Sequence, residues 1–421
     1  VKHMDFTVSY DVAVVGGGVA GIAAAIQSAR SGKKTVLIEK TILLGGLATS
    51  GLVYIYLPLC DGNGHQATHG ICEELLRNSI QYGPGEIPEN WRQEKNAPER
   101  KRLMCRFSPA SFMLSLEELL RRENVDIWYD TLVCGADVVN KKVTALIVEN
   151  ESGRGRIEAK SVIDASGTGV AMRRAGVPCL CEDNYLTMWA LQYQADIMEG
   201  DFGKSISVYT ITTSTLDQET RLVASPELLE RMYGKCSAEE YHDLITYRGL
   251  TGKSVSRFVQ ESHRILLETY KMRYEGGEYT RRDYYPVKLP LMPQFRKIYC
   301  VDGEYVLNTG ENAKYFEDSV GLLADWRKSG SEYVWEVPFR TLYAKKRTGG
   351  IIAAGRCTAA QGDAWEITRV IPSAAMTGQV AGLAASMTID SGREIWELDV
   401  HEVQDRLRAL GFPIHRADIG I

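Results

Sequence analysis

The 421-residue sequence has no long run of lysine or arginine, and its 49 basic residues are outnumbered by 54 acidic ones. That balance, a formal net charge of −5, argues against the basic face with which proteins hold nucleic acid or an anionic bilayer, so no nucleic-acid or membrane partner is expected. Long apolar runs are missing as well. The longest lies within Val12–Ile26, is interrupted by glycines and is too short to cross a membrane. Val1–Tyr10 has no apolar core of the kind a secretory leader carries, so no leader is expected there. The nine cysteines are odd in number and scattered; the one close pair, Cys179 and Cys181, is not a C-x-x-C. Free thiols in a reducing, cytoplasmic setting are therefore expected rather than a disulfide framework. His65 and His69 stand four apart but between glycines, and no further ligands follow at zinc-like spacing. This reads as a polar loop, and no metal is expected. Tandem repeats and low-complexity blocks are also lacking. What remains is a globular composition, 44% hydrophobic and 24% charged, long enough for two domains or for one with an inserted lobe.

The informative stretch is Tyr10–Lys40, YDVAVVGGGVAGIAAAIQSARSGKKTVLIEK. Asp11–Val15 reads as a buried strand, Val19–Ser31 as a small-residue helix ending at Gly32, and Thr35–Glu39 as a second strand. Gly16, Gly18 and Gly21 place G-x-G-x-x-G between the first strand and the helix. The first glycine makes the tight turn, the second lets backbone approach a pyrophosphate, and the third packs helix on sheet. Val19 and Ala20 open the helix, whose free N–H groups and dipole face the phosphates. Glu39 ends the next strand, eighteen residues after Gly21, where a carboxylate accepts hydrogen bonds from ribose hydroxyls; Lys40 follows it. The fingerprint alone does not separate FAD from NAD.

The following segments do. A second glycine-rich loop (Gly45, Gly46, Thr49, Ser50, Gly51) comes immediately after, and its pattern resembles that of the glutathione-reductase-like FAD fold. VIDASGTG, with Ala165, Ser166 and Gly167, resembles a strand-loop of that fold, and GGIIAAGR, with Gly355 and Arg356, resembles its last strand. With DSVGLLADWR, VPFRTLYAKK and the stretch through TGQVAGLAAS, which holds Thr377 and Gly378, the ordered blocks from about residue 8 to about 390 resemble the FAD-dependent oxidoreductases related to fumarate reductase and succinate dehydrogenase flavoproteins. The resemblance implies an α/β chain: a Rossmann-like FAD-binding domain, its parallel sheet carrying a β-meander, plus an inserted α+β substrate lobe. The expected boundaries are 5–181 for the first part of the FAD domain, 182–345 for the lobe, 346–392 for the last strand and helix, and 393–421 for a helical tail. Val133, in an expected strand Leu132–Val139, joins the cofactor candidates. The paired His/Arg/Glu set with which fumarate reductases hold dicarboxylates is not found, so that activity is not carried over.

The resemblance also implies that the small-residue helix Ile371–Asp390, with Pro372 at its start, points its N-terminus at the pyrimidine edge of the flavin. By motif position Arg356, Cys357 and Arg369 flank the site. Each arginine is either a group that orients an anionic substrate or a member of a buried ion pair with Asp363 or Glu366. Cys357 is either a thioether or redox partner of the flavin or a buried, inert thiol. His69 and Arg340 are further catalytic candidates. No second G-x-G-x-x-G is found, so electrons are expected to come from, or go to, a diffusing donor or acceptor. The expected function is an FAD-dependent dehydrogenase or oxidase that transfers hydride between flavin N5 and a small organic substrate, with the oligomeric state open. A non-redox flavoprotein lyase or isomerase, and a flavin-binding assembly protein, are the alternatives.

Overall fold

The computed structural model describes residues 4–92, 102–198, 205–212 and 225–421. The chain forms two compact units, one of residues 1–49, 54–180 and 299–421, the other of residues 50–53 and 181–298.

The larger unit is built on one sheet. Strands β1 (Phe6–Val15), β2 (Thr35–Ile38), β3 (Asp126–Trp128), β4 (Leu132–Val139), β5 (Lys142–Asn150), β6 (Gly153–Asp164) and β7 (Ile351–Ala353) lie in the order β3-β2-β1-β6-β5-β4. The seventh, β7, pairs in parallel with the C-terminal end of β6. β3, β2, β1, β6 and β7 are parallel, while β4 and β5 return antiparallel on the first half of β6. This is a Rossmann-like α/β sheet with a meander. Its burial pattern explains the continuous apolar runs: Val12 and Val14 are as fully buried as Ala13, because both faces are covered. One face packs on a core containing Ala13, Val36, Leu146, Val162 and Met172. The other meets helix α1 (Val19–Arg30), where Val14 lies under Gly21.

α1 lies against α5 (Ile371–Ser391), a helix of small residues buried almost all round. Cβ atoms added at Gly378 and Gly382 would lie 2.2 Å from Ala20 O and 2.5 Å from Ala24 O, so only glycine permits this approach. Helices α2 (Ile71–Ser79), α3 (Pro109–Arg122) and α4 (Gly362–Thr368) complete the elements needed below. Phe112, Leu116, Leu119 and Leu120 of α3 are buried, as their helical spacing predicts.

The structure departs from the sequence reading in places. Arg156–Ala159 and Lys160–Ala165 read as two separate strands, but Gly153–Asp164 is one strand, β6, with which β1 pairs from Phe6–Gly155 to Val15–Asp164. β1 is correspondingly five residues longer at its start than expected. The polar, proline-containing stretch Tyr82–Arg102 reads as a surface excursion, yet Trp91 and Arg102 are buried; the Arg102 side chain donates to Cys60 O at 2.5 Å. Residues 93–101 of that excursion lie outside the described residues.

The smaller unit holds a three-stranded antiparallel sheet, Ile206–Thr212, Thr187–Gln194 and Tyr284–Lys288, with Thr187–Gln194 in the middle. The long helix Gly252–Glu275 packs on it: Ser262 Oγ donates to Thr187 O at 3.0 Å, and Tyr270 donates to Gln192 Oε1 at 3.1 Å. Among the described residues no helix is long and apolar enough to cross a membrane, and no group of three or more His, Cys, Asp or Glu could hold a metal ion.

Candidate functional site

The turn between β1 and α1 is Gly16-Gly17-Gly18, and Gly16, Gly18 and the helical Gly21 are glycine for different reasons. Gly16 sits at φ +102°, and its amide donates to Ile38 O at 2.8 Å. A Cβ there would lie 2.7 Å from Ser166 Cα, so the turn meets the residues after β6 backbone to backbone. A Cβ on Gly21 would be 1.9 Å from Gly16 O. Gly18 is unlike both. Its φ of −72° suits any residue, and a Cβ there would meet nothing within 4 Å. The fold does not require glycine at this position; the space beside it is simply open. Gly18 is also the N-cap of α1, and no side chain caps that helix. The unpaired amides and the positive end of the helix dipole therefore face the opening, which suits an anion.

The second glycine loop lies alongside. Gly45 N donates to Gly17 O at 2.8 Å, and Gly45 bridges Gly18 in parallel. A Cβ on Gly46 would lie 3.1 Å from Gly18 Cα. The buried Thr49 hydroxyl donates to Leu44 O and fills the space under Gly45. Ser50 and Gly51 belong to the smaller unit, where their carbonyls accept from Leu291 N at 2.8 Å and Gln294 Nε2 at 2.5 Å. The Ser50 hydroxyl is buried without a hydrogen-bond partner, a costly state unless a ligand group completes it.

Glu39 does more than end a strand. Its Oε2 accepts from Gly17 N at 2.7 Å, and its Oε1 accepts from Thr41 N at 2.9 Å and Thr41 Oγ1 at 2.8 Å. The carboxylate thus ties the phosphate-type turn to the strand end, and Oε2 keeps acceptor capacity for another donor. Lys40, next to it, is exposed.

Asp164, at the end of β6, is a site residue the sequence reading passed over. Fully buried, it accepts from Ser166 N (3.1 Å), Ser166 Oγ (2.6 Å) and Met172 N (2.9 Å), fixing the loop through Ala165 and Gly167. The signal was legible as an aspartate two residues before a serine in a glycine loop, the pattern of an Asx-type turn. Gly167 has φ +68°, and a Cβ on it would be 2.3 Å from Arg356 Nη2. Gly355, at φ +61°, donates to Thr377 Oγ1 at 2.9 Å, and a Cβ on it would press on Ala20. The start of α1, the loops after β6 and β7, and the first turns of α5 therefore converge. The N-terminus of α5, like that of α1, has no side-chain cap.

Burial pushes the Arg356 guanidinium down to about 10; Cys357 opposes this, and the Arg369 cation nearby adds to it. Arg369 itself is ion-paired with Glu366, its Nε donating to Oε2 at 2.8 Å. Cys357 is wholly buried, packed with Ala353 and Ala359, and burial and Asp164 hold its thiol well above the usual range. Such a thiol is not a ready nucleophile. Acid precipitation should therefore release all flavin into the supernatant; colour retained in the pellet would mean a covalent link. The other candidates are engaged elsewhere. Arg340 grips Asp318 with two bonds of 2.9 Å, His69 Nε2 lies 3.1 Å from Gln66 O, and Val133 is buried in the core beneath the sheet.

The open, amide-lined turn and the buried carboxylate beside it fit a dinucleotide. The family profile described as FAD dependent oxidoreductase matches residues 11–201 and 301–407. The chain belongs to this FAD-dependent oxidoreductase family. Its cofactor is FAD. Among curated relatives, it is 31% identical over 193 residues to a digeranylgeranylglycerophospholipid reductase of Methanoculleus marisnigri, a match covering 40% of this chain and 42% of that one. It is 29% identical over 164 residues to the enzyme of the same name from Thermoplasma acidophilum, covering 38% and 39%. The matched stretches thus span about two fifths of these relatives' length. Among solved structures it is similar to a geranylgeranyl bacteriochlorophyll reductase-like protein from Thermoplasma acidophilum, at 14% identity and a TM-score of 0.47, over 99% of this chain and 94% of that one. Two crevices stand out among the described residues. One sits at the opposite end of the strands, where Gly350 leads into β7, and the other lies within the smaller unit.

Proposed function

We propose that this chain transfers hydride between FAD and a small organic substrate, and exchanges electrons with a diffusing partner rather than with NAD(P)H held in a domain of its own. FAD, when bound, supplies the hydride donor and acceptor at N5 of its ring. The open side of Gly18 at the uncapped start of α1 carries the reading, because a turn that needs no glycine there for its own packing leaves room for a diphosphate. In this reading the amides of Gly18, Val19 and Ala20 face the diphosphate, and Glu39 Oε2 accepts from ribose. The loops around Gly167 and Gly355 border the ring. The free amides at the start of α5 favour negative charge on a reduced ring, by roughly 0.3–2 kcal/mol for the dipole.

Arg356 and Arg369 present forked donors suited to a carboxylate or keto oxygen. Residues of the smaller unit shape substrate choice. The reductase names of both curated relatives support a flow of electrons from flavin to substrate. The ordered motif blocks support kinship with the fumarate reductase and succinate dehydrogenase flavoproteins, without their dicarboxylate set.

The test is spectroscopic. The dithionite-reduced holoenzyme, kept anaerobic, should regain its flavin absorbance when the true substrate is added. Arg369→Lys should slow that step while leaving FAD bound. Product formation with the flavin spectrum unchanged throughout would instead favour the non-redox class.

A further inference from the structure

The smaller unit contains a cavity of roughly 190 Å³ between the long helix Gly252–Glu275, the strand Thr187–Gln194 and the segment 290–294. Its walls are mostly apolar: Met188, Phe258, Val259, Leu291 and Met292, with two prolines. The polar residues that line it are nearly all spent on the protein itself. Ser262 Oγ donates to Thr187 O at 3.0 Å, and the Thr187 hydroxyl donates to Tyr185 O at 3.0 Å. The Gln294 amide accepts from Trp189 N at 2.8 Å and donates to Gly51 O at 2.5 Å. One polar side chain stands apart from this set: His263, exposed at the edge. Leu291 lines the cavity yet is 56% exposed, so apolar surface leads from solvent into it.

We infer that this cavity is a binding site for a small ligand with an aliphatic or aryl body and a single hydroxyl or carbonyl end. The body would fill the Met188–Phe258–Met292 interior, and the polar end would lie at the His263 imidazole. A charged or polyhydroxylated body is disfavoured by the walls, since apart from His263 the side-chain donors that line the cavity are spent on the protein's own carbonyls. The site is tied to the second glycine loop. Leu291 N and Gln294 Nε2 hold the carbonyls of Ser50 and Gly51, so a ligand that shifts segment 290–294 pulls on the backbone immediately after Thr49. If the ligand is the substrate, this deepens the hydride-transfer reading by giving the substrate's apolar class. Binding itself is measured without any turnover.

The experiment uses the FAD-loaded full chain and the neutral fluorophore N-phenyl-1-naphthylamine, displaced by 1-octanol. Wild type should bind the fluorophore saturably, and octanol should displace it, whereas hexane-1,6-diol and glycerol should not. Val259→Trp, which fills the cavity from the partly exposed helix face, should weaken fluorophore binding at least tenfold, and Val259→Ala should not. His263→Ala should weaken octanol more than octane. Thermal melting of each variant checks that it is folded. Unsaturable binding, equal binding by wild type and Val259→Trp, or displacement by glycerol would overturn the proposal. If octanol binds as stated and no substrate reoxidises the flavin, the cavity assignment stands and the hydride reading falls.

Discussion

Gly18→Asp is expected to abolish FAD binding while leaving the FAD-free chain as stable as wild type or slightly more so. The two effects have opposite sign because the residue serves the ligand and not the fold. A Cβ at Gly18 meets nothing within 4 Å, and its φ of −72° is open to any residue. Aspartate is among the best N-cap residues, and α1 has no side-chain cap, so its carboxylate would take an orphan amide and complement the dipole, a gain of about 0.3–1 kcal/mol. The same carboxylate would occupy the opening with negative charge. Losing the diphosphate's amides and adding like-charge repulsion should cost at least about a hundredfold in affinity, close to 3 kcal/mol. Gly21→Ala, three residues on, should behave in the reverse way. Its Cβ would lie 1.9 Å from Gly16 O, so the chain itself should lose about 1–3 kcal/mol or more. Thermal melting of the FAD-free proteins, paired with flavin fluorescence titration, separates the two. Retention of FAD by Gly18→Asp would mean that the diphosphate lies elsewhere.

Glu39→Gln should damage both the ligand and the fold. The carboxylate accepts from Gly17 N through one oxygen and from Thr41 N and Oγ1 through the other. An amide has one oxygen, so in either orientation its NH₂ faces a donor and at least one buried N–H is left unpaired. Charge-assisted bonds of this kind are worth roughly 1.5–3 kcal/mol, and a buried unsatisfied donor costs about 1–3 kcal/mol. FAD affinity should therefore fall about 10- to 100-fold, and the melting temperature of the FAD-free chain should fall with it. A carboxylate that only bound ribose would leave that melting temperature unchanged, so the melting temperature discriminates between the roles.

Much of the dinucleotide half was legible because its constraints are local. Strand, glycine turn and helix lie within Phe6–Arg30, and Gly16 and Gly21 each have a geometric cause the spacing expresses, while Gly18 borders open space. α3 was legible from the spacing of Phe112, Leu116, Leu119 and Leu120, and α5 from its small residues with Pro372 at the start. The parts that escaped depend on partners distant in sequence. α2 is nine residues long, and its first amide is satisfied by Gln379 Oε1 of α5 at 2.7 Å, a cap no local pattern announces. β6 read as two strands because Lys160 interrupts its apolar pattern; only its pairing with β1 makes it one. Asp164 stands inside a visible motif, but its importance lies in bonds to Ser166 and Met172 that only the fold assembles. For Arg340 the sequence showed a cation, but not that Asp318, twenty-two residues earlier, would hold it.

The most direct measurement is a paired titration of the FAD-free chain with FAD and with NAD, read by flavin fluorescence and by competition. The account predicts saturation at one FAD per chain, with a hundredfold excess of NAD failing to displace it. A chain that takes up no FAD, or from which NAD displaces it, would contradict the account.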